Sequence, residues 1–311
     1  MSPGSLIVSL DCEGKWGMAD RADSIYERML TDEALEKAYR TLVDLFARFD
    51  IPATFAFVMA FVLDEEERRT CASLLRDVPI AGSNWLAAYR GAQERRHLSG
   101  WHQPRSFDFV QGDGRHEIAS HSFSHLPFDE REISEDDARH ELRSADHVAK
   151  RKGVILETLV YPRNVVGYVH LLPEFGIRGY RDRLPRRSGW QGRMGALFSE
   201  FNVNEWPQPC QPPTGDRPIR IPSGYFFNWR FGLRRSIPKW VTMQRWGRLL
   251  RTAGERGEVA HLWFHPHNII TGPETLDVLT NVLRDAAQLR YQGRLSIVTQ
   301  AQYCRALHAN G

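Results

Sequence analysis

The chain has 311 residues, of which 42% are hydrophobic and 25% are charged, so it can bury a large core and should fold into a globular protein. Lysine and arginine together number 41 against 38 aspartates and glutamates, a formal net charge of +3. The arginines are scattered along the chain and form no basic tail or stripe, which argues against nucleic acid as a partner.

The amino-terminal residues MSPGSLIVSL lack the basic start and the long apolar stretch of a secretory signal, and no run of about 18 apolar residues occurs in the chain. We therefore expect a cytoplasmic protein without a membrane span. The four cysteines form no CxxC pair and make a poor disulfide framework for this length, so we expect reduced thiols.

Strands and helices alternate along the sequence. The apolar, β-branched run at 5–10 ends at Asp11, as a buried parallel strand does, and apolar residues at helical spacing follow over 32–49. A second strand is predicted over 53–61 and a second helix over 64–77. The later elements follow the same order, with strands at 117–119, 155–162, 258–264 and 294–299 and helices near 134, at 239–255 and at 274–289. This alternation favours a parallel sheet or barrel.

Two stretches resist regular assignment. Residues 79–110 are aromatic and irregular and could shape a substrate groove. Residues 183–235 contain seven of the seventeen prolines. We expect insertions at both places within one domain that spans 1–311, and not a second core.

The segment HEIASHSFSH brings His116, His121 and His125 together. His121 and His125 are four residues apart, a spacing that on a helical turn puts both imidazoles on one face, where they can bind one divalent metal ion. In a chain with 12 histidines, such a pair also arises as an ordinary solvated helix face. Further ligands must therefore come from elsewhere.

Two carboxylates follow the first strand in the segment Asp11-Cys12-Glu13-Gly14. Because they are two residues apart, they can point the same way in extended chain. One could bind the metal while the other takes a proton from a water, although each could also be a helix cap or a turn carboxylate. The same alternation turns Cys12 towards the neighbouring helices, where it would pack.

A histidine pair follows the strand at 258–264, in the segment HLWFHPHN. His265 and His267 lie at the carboxyl end of this strand, which is the catalytic end in parallel α/β folds. A histidine there can protonate a leaving group. His261 lies within the strand and is predicted to be a core residue.

An arginine follows the strand at 155–162, in the segment VYPRN. Arg163 is placed to hold a carboxylate in its ionised form, with an ordinary surface arginine as the alternative. All four clusters thus end strands on one predicted rim.

In this order the motifs resemble those of the polysaccharide deacetylase, or NodB-homology, family over about residues 5–300. SLDCEG is similar to the opening motif with its aspartate pair, and HSFSH to the metal motif H-S/T-x-x-H. YPRN stands where the arginine motif belongs, and HLWFHP resembles the closing L-x-L-x-H motif. The resemblance implies an α/β fold, a distorted (β/α) barrel of about seven parallel strands. It also implies a divalent metal ion, with zinc expected, and hydrolysis of N-acetyl or occasionally O-acetyl groups.

The resemblance also implies roles for the matching residues. Asp11 matches the general base, His121 and His125 the metal ligands, and His265 the general acid. Glu13 takes over as the third, carboxylate ligand. Because one residue here separates carboxylates that are adjacent in the family, Asp11 and Glu13 could exchange roles.

Four further residues are expected around these groups. Arg163 would orient Asp11 and keep it ionised. Trp16, Asn164 and His267 are expected to contact the substrate, an acetylated sugar.

The expected function is removal of an acetyl group from an N-acetylated sugar. For a chain without a secretory signal, a nucleotide- or lipid-linked precursor in O-antigen or capsule biosynthesis fits better than a wall polymer. Two alternatives stay open: hydrolysis of a small non-sugar amide such as a ureide or cyclic imide, and a metal-free sugar-binding protein on the same fold.

Overall fold

The computed structural model describes residues 3–21, 28–183, 207–213, 217–227 and 229–309. Within these ranges the strands are β1 (Gly4–Cys12), β2 (Thr54–Phe57), β3 (Pro79–Ile80), β4 (Ser83–Asn84), β5 (Glu117–Ser120), β6 (Thr158–Val160), β7 (Gly179–Arg181), β8 (Ile219–Ile221), β9 (Tyr225–Phe226), β10 (Val259–Phe264) and β11 (Leu295–Val298).

The α-helices are α1 (Asp32–Arg48), α2 (Glu65–Thr70), α3 (Ala87–Glu94), α4 (Pro104–Asp113), α5 (Glu135–Arg151), α6 (Lys239–Arg256), α7 (Asn268–Thr271), α8 (Glu274–Tyr291) and α9 (Gln300–Ala309). Short 3-10 turns cover Gly14–Met18, Met59–Val62, Ala72–Leu74, Pro162–Asn164, Val169–Phe175 and Gly232–Ser236.

One curled parallel sheet organises the chain. Its strands follow the order β8-β7-β6-β5-β2-β1-β10-β9, and β11 pairs with the first half of β1. The helices that connect these parallel strands cover the sheet, so the fold is the distorted (β/α) barrel that the sequence predicts. Nine strands take part among the described residues, against about seven expected.

Strand β1 pairs with three other strands of the sheet, β2, β10 and β11. It pairs with β10 over Ser5–Leu10 and with β2 over Ser9–Cys12, and nearly every residue in it is buried. A strand enclosed on both faces needs a continuous apolar run, which SLIVSL supplies. Its carboxyl end therefore delivers Asp11 to the edge of the sheet, close to the ends of its neighbours.

Residues 79–110 are more regular than the sequence indicates. They contain the strand pair β3–β4, helix α3 and most of α4, so the prediction of an irregular stretch is wrong there. Tyr89 and Ala92 are buried three apart on α3, as are Phe107 and Val110 on α4. In elements of eight and ten residues, two buried apolar positions per helix are too few to reveal the helical period.

The stretch at 183–235 also contributes to the sheet. Its residues 184–206 and 214–216 lie outside the described residues, but β8 and β9 are strands of the barrel. The described residues of this stretch therefore include two strands of the barrel itself, so the expectation of an insertion holds for only part of it. Strand β7, just before it, carries no prediction from the sequence.

The structure also describes the state of the cysteines and the length and polarity of the helices. All four cysteines are free, as predicted. Among the described residues, no helix has both the length and the apolar character needed to cross a membrane.

Helix α5 begins at a capping box formed by Ser134 and Asp137. Ser134 Oγ accepts the backbone N–H of Asp137 at 3.2 Å, and the Asp137 carboxylate accepts the backbone N–H of Ser134 at 3.2 Å. The box fixes the start of the helix by satisfying two backbone donors that have no helical partner.

We expect Ser134→Ala to lower the free energy of unfolding by about 1 kcal/mol, because one of these backbone donors loses its acceptor. Arg143→Ala, at an exposed position of the same helix, is the control and should change it by less than about 0.5 kcal/mol. Urea titration followed by circular dichroism measures both. Equal losses in the two variants would contradict the role of the cap.

Candidate metal centre

Polar side chains gather at the carboxyl ends of three strands of the sheet. Glu13 follows β1, His121 and His125 follow β5, and His265 follows β10. Because parallel strands end at one edge, these residues meet although up to 252 residues separate them in the chain. Arg163 and Asn164 follow β6 at the same edge, so the four clusters of the sequence lie on one rim, with the exception of His116.

Glu13, His121 and His125 form a buried cluster of three donor groups. Their ligand atoms all lie within 4.8 Å of one another. Glu13 Oε2 lies 2.8 Å from His125 Nε2 and 3.4 Å from His121 Nε2. One carboxylate and two imidazoles are the ligand types that zinc binds in catalytic sites.

The hydrogen bonds of the two imidazoles fit a bound cation. His121 Nδ1 lies 2.7 Å from the carbonyl oxygen of Val160, and donating its proton there leaves the Nε2 lone pair free to face Glu13. Neither ring nitrogen of His125 makes a well-directed hydrogen bond to a described residue, although the ring is buried. Burial also lowers the pKa of His125, against the attraction of Glu13, so its lone pair is available. A divalent cation would satisfy these groups.

The loop that carries both histidines is not helical. Ser122 and His125 both have φ of 63°, in the left-handed region. The prediction that His121 and His125 share the face of a helical turn is therefore wrong. The loop is instead held by Glu141 of α5, whose carboxylate accepts the backbone N–H groups of Phe123 and Ser124 at 3.1 and 2.8 Å and the Ser124 hydroxyl at 2.7 Å.

His116 lies away from this loop. It precedes β5, at the opposite end of the strand, and its Nδ1 accepts the backbone N–H of Ala53 at 3.2 Å. Only two histidines of the HEIASHSFSH segment therefore reach the centre.

Asp11 is held by a buried arginine. Arg181 Nη1 and Nη2 donate to Asp11 Oδ1 and Oδ2 at 2.7 and 2.6 Å, and both side chains are at most 4% exposed. Burial alone would raise the pKa of Asp11, but the Arg181 guanidinium outweighs burial and lowers it. Asp11 is therefore an ionised carboxylate near the cluster of Glu13, His121 and His125.

The prediction that Arg163 holds Asp11 is wrong, since Arg181 does so. Arg163 Nη2 pairs with Asp20 Oδ1 at 2.7 Å, and its guanidinium lies 4.5 Å from the ring centroid of Trp85. The physical reason is the backbone: Arg163 has φ of 54°, in a turn after β6 that directs it to the surface. Its side chain is 36% exposed, unlike that of Arg181.

Asn164 takes part in positioning the buried arginine. Its Oδ1 accepts from Arg181 Nη2 at 2.9 Å. Arg181 Nη1 also lies 3.4 Å from Ser9 Oγ, and its guanidinium lies 4.4 Å from the ring centroid of Trp263. Substrate contact by Asn164 stays a prediction, but one of its amide atoms is already used within the protein.

The two histidines after β10 differ in their surroundings. His265 Nε2 lies 3.4 Å from Glu13 Oε1, and its side chain is 21% exposed, so it reaches both the cluster and solvent. His267 stacks on His265 with ring centroids 4.8 Å apart and is buried. Burial, followed by the charge of His265, lowers the pKa of His267 to about 3. His267 is therefore neutral near pH 7 and is a poor proton donor.

Trp16 does not face the centre as a sugar-stacking residue would. It is fully buried, its indole N–H donates to the carbonyl oxygen of Trp101 at 2.7 Å, and its ring packs on Tyr89 with centroids 4.6 Å apart. The prediction of substrate contact by Trp16 is therefore wrong for this position. Cys12 is also buried, as expected; burial raises the pKa of its thiol and disfavours a ligand role.

Comparison with known proteins defines the class of fold. The sequence matches no protein-family model and none of the curated proteins. Its structure is similar to one from Mycobacterium smegmatis assigned as a polysaccharide deacetylase, with 14% identity and a TM-score of 0.61 over 100% of this chain and 94% of that one.

Two further solved structures have similar scores. One from Pseudomonas aeruginosa PAO1, assigned as a polysaccharide deacetylase, has 14% identity and a TM-score of 0.56 over 98% of this chain and 91% of that one. Puue allantoinase has 14% identity and a TM-score of 0.57 over 98% and 90%. The chain therefore has the NodB-homology polysaccharide deacetylase fold, and identities this low speak to the fold alone.

The two arginines provide a direct test of the corrected assignment. We expect Arg181→Met to lower the free energy of unfolding by about 3–5 kcal/mol near neutral pH, because it leaves the Asp11 charge buried and unpaired. Arg163→Met, the matched control, breaks a partly exposed pair and should cost at most about 1 kcal/mol. Equal losses would contradict the assignment of Arg181 to Asp11.

The loss in Arg181→Met should depend on pH. In the native chain the lowered pKa of Asp11 contributes stability above the unfolded pKa of about 4, and this contribution is lost as the pH falls. Without Arg181, burial raises the pKa of Asp11, so the folded variant takes up a proton as the pH falls. The difference in free energy of unfolding between the native protein and the variant should therefore be smaller at about pH 5 than at about pH 7. Urea titrations at both values measure this, and adding Asp11→Asn should recover part of the loss.

Proposed function

We propose that the protein is a divalent-metal-dependent hydrolase that removes the acetyl group from an N-acetylated sugar. The observation that carries this proposal is the cluster of Glu13, His121 and His125 beside an ionised Asp11 and a partly exposed His265. A metal site, a base and a proton donor at one edge of a barrel are what hydrolysis of an amide bond requires.

Glu13, His121 and His125 are the residues that would hold the ion, and their donor set suits zinc. When bound, the ion would lower the pKa of a water and polarise the acetamide carbonyl. The direction of Glu13 supports its assignment as ligand: it faces two imidazoles, whereas both oxygens of Asp11 face Arg181. This favours the base role for Asp11 over an exchange between the two.

Asp11 would accept the proton of the attacking water. The bidentate contact with Arg181 keeps the carboxylate charged and fixes its orientation, and each oxygen retains a lone pair. Such a fixed base needs little rearrangement during the reaction.

His265 would donate a proton to the departing amine. It lies near Glu13 and is partly exposed, so it can contact a substrate and exchange its proton with solvent. Its neighbour His267 stays neutral and, by stacking, holds the ring of His265 in place.

The sugar would lie against the aromatic side chains next to His265. Phe226 is half-buried, and its ring centroid lies 5.8 Å from that of His265. An aromatic face beside the acid can pack on the apolar face of a pyranose ring. The finer proposal is that the substrate is a nucleotide- or lipid-linked precursor in surface-polysaccharide biosynthesis.

Metal content tests the site first. We expect about one divalent ion per chain by elemental analysis of the native protein and none in His121→Ala with His125→Ala. Chelation should lower the melting temperature of the native protein only, since the ion binds the folded state. The matched control, His97→Ala with His147→Ala, removes two exposed histidines and should keep the ion. A native protein without metal after addition of zinc would refute the hydrolase.

Acetate release tests the chemistry. With an acetylated sugar nucleotide that the native protein hydrolyses, Asp11→Asn and His265→Gln should each reduce the rate about 10²–10⁴-fold while the ion stays bound. The double variant of His97 and His147 is again the control. A ring-opened product from a ureide or cyclic imide, without acetate from any sugar, would favour the small-amide alternative.

A further inference from the structure

Exposed apolar and basic side chains occur together over residues 231–240, which run from the 3-10 turn after β9 into the first turn of α6. We call the group of Phe231, Leu233, Arg235, Lys239 and Trp240 the rim patch. Leu233 is 68% and Trp240 is 55% exposed, and Phe231 is half-buried. Large apolar side chains this exposed and this close in the chain mark an interaction surface.

The loop that carries the rim patch is fixed by a buried arginine. Arg230 Nη1 donates to the carbonyl oxygen of Ile237 at 2.6 Å, and Nη2 donates to that of Arg235 at 2.9 Å. Its Nε donates to Glu274 at 3.0 Å, which ties the loop to the start of α8. These contacts fix the backbone on both sides of Leu233, whose side chain is exposed.

The rim patch lies at the catalytic edge of the barrel. Its loop follows β9, where Phe226 contacts His265, and the backbone N–H of Phe227 donates to the carbonyl oxygen of Trp263 at 2.8 Å. The turn between α7 and α8 comes shortly after His265 and His267. In this turn, Gly272 packs against the backbone of Arg230. A surface that binds the rim patch would face the opening of the centre.

Positive charge accompanies the apolar residues. Arg235 and Lys239 are 66% and 41% exposed, and they pair with Glu274 at 3.8 Å and Asp277 at 2.7 Å respectively. Arg230 shares Glu274 with Arg235, so three basic side chains meet these two acidic ones. Tryptophan and leucine interleaved with arginine and lysine suit the interface of an anionic bilayer.

The other two large, exposed apolar side chains of the described residues lie at the opposite end of the barrel. Ile155 comes just before the amino end of β6, and Tyr291 ends α8 just before β11. Amino ends of parallel strands face away from the candidate centre. These two residues are therefore matched controls for general surface stickiness.

We propose that the rim patch docks the protein on an anionic phospholipid bilayer and that its substrate is an acetylated sugar whose lipid anchor stays in that bilayer. Leu233 and Trp240 would enter the interface while Arg235 and Lys239 meet lipid phosphates. The sugar head group would then project along the surface to the centre. This proposal deepens the proposed function and rests on it for the identity of the sugar.

Vesicle sedimentation tests the docking without any reaction. The full chain should sediment with vesicles of phosphatidylcholine containing about a third phosphatidylglycerol, and less so as salt is raised. Leu233→Ser with Trp240→Ser should weaken binding at least about tenfold, because their apolar area no longer leaves water. Arg235→Gln with Lys239→Gln should remove the preference for the anionic lipid. Ile155→Ser with Tyr291→Ser should bind like the native protein.

Three outcomes would overturn the docking surface. One is a failure of the native protein to sediment with the vesicles, and another is equally good binding of the native protein to pure phosphatidylcholine. The third is an equal loss of vesicle binding in the Leu233/Trp240 and Ile155/Tyr291 double variants. If the Leu233/Trp240 double variant changes the oligomeric state, measured by light scattering, and leaves vesicle binding unchanged, the rim patch would instead bind a second copy of the chain.

The two proposals fail separately. The double variant of His121 and His125 should still sediment with vesicles although it cannot bind metal. Native protein that binds vesicles but holds no metal would reject the hydrolase and keep the docking surface. The Leu233/Trp240 double variant should hydrolyse a water-soluble acetylated sugar at the native rate. Its rate on a lipid-linked acetylated sugar in vesicles should fall at least about tenfold. An equal loss of rate on both substrates would reject presentation of the substrate by the bilayer.

Discussion

The buried ion pair between Asp11 and Arg181 is the constraint on which the site depends. Its members come from β1 and β7, which β6, β5 and β2 separate in the sheet. At about 4.8 Å per strand, a flat sheet would place β1 and β7 about 19 Å apart, well beyond the reach of an arginine side chain. The pair can form only because the sheet curls, so the curvature of the barrel and the charge of the base are linked.

A chain of hydrogen bonds extends this constraint to the rest of the barrel. Ser9 Oγ lies 3.4 Å from Arg181 Nη1 and 2.8 Å from His261 Nε2, and His261 Nδ1 lies 2.6 Å from the carbonyl oxygen of Pro222. Burial, followed by the charge of Arg181, lowers the pKa of His261 to about 3, so the ring is neutral. It can then donate through Nδ1 to Pro222 and accept the Ser9 hydroxyl through Nε2. The core role predicted for His261 is confirmed, and it orders the strands around the pair.

The elements that the sequence predicts well are those with a clear period. The long helices α1, α5, α6 and α8 and the apolar strands β1 and β10 lie within a few residues of their expected positions. Strands β7, β8 and β9 have two or three residues each, too few for a period of two to show. The sequence does not point to Arg181 for this reason: it ends a strand that is not predicted, whereas Arg163 directly follows a predicted one. The spacing of His121 and His125 predicts their proximity, but a left-handed loop achieves it, and a spacing contains no information about φ.

The residue inserted between the two carboxylates separates their electrostatic surroundings. Cys12 turns towards Tyr39 of α1, while Asp11 and Glu13 reach different partners. Asp11 is balanced by a guanidinium whose charge is permanent. Glu13 instead faces three imidazoles, those of His121, His125 and His265, whose charge depends on their protonation, and burial lowers the pKa of His125. A buried carboxylate in that position is stabilised by a cation, and binding of the ion should therefore be coupled to the stability of the fold.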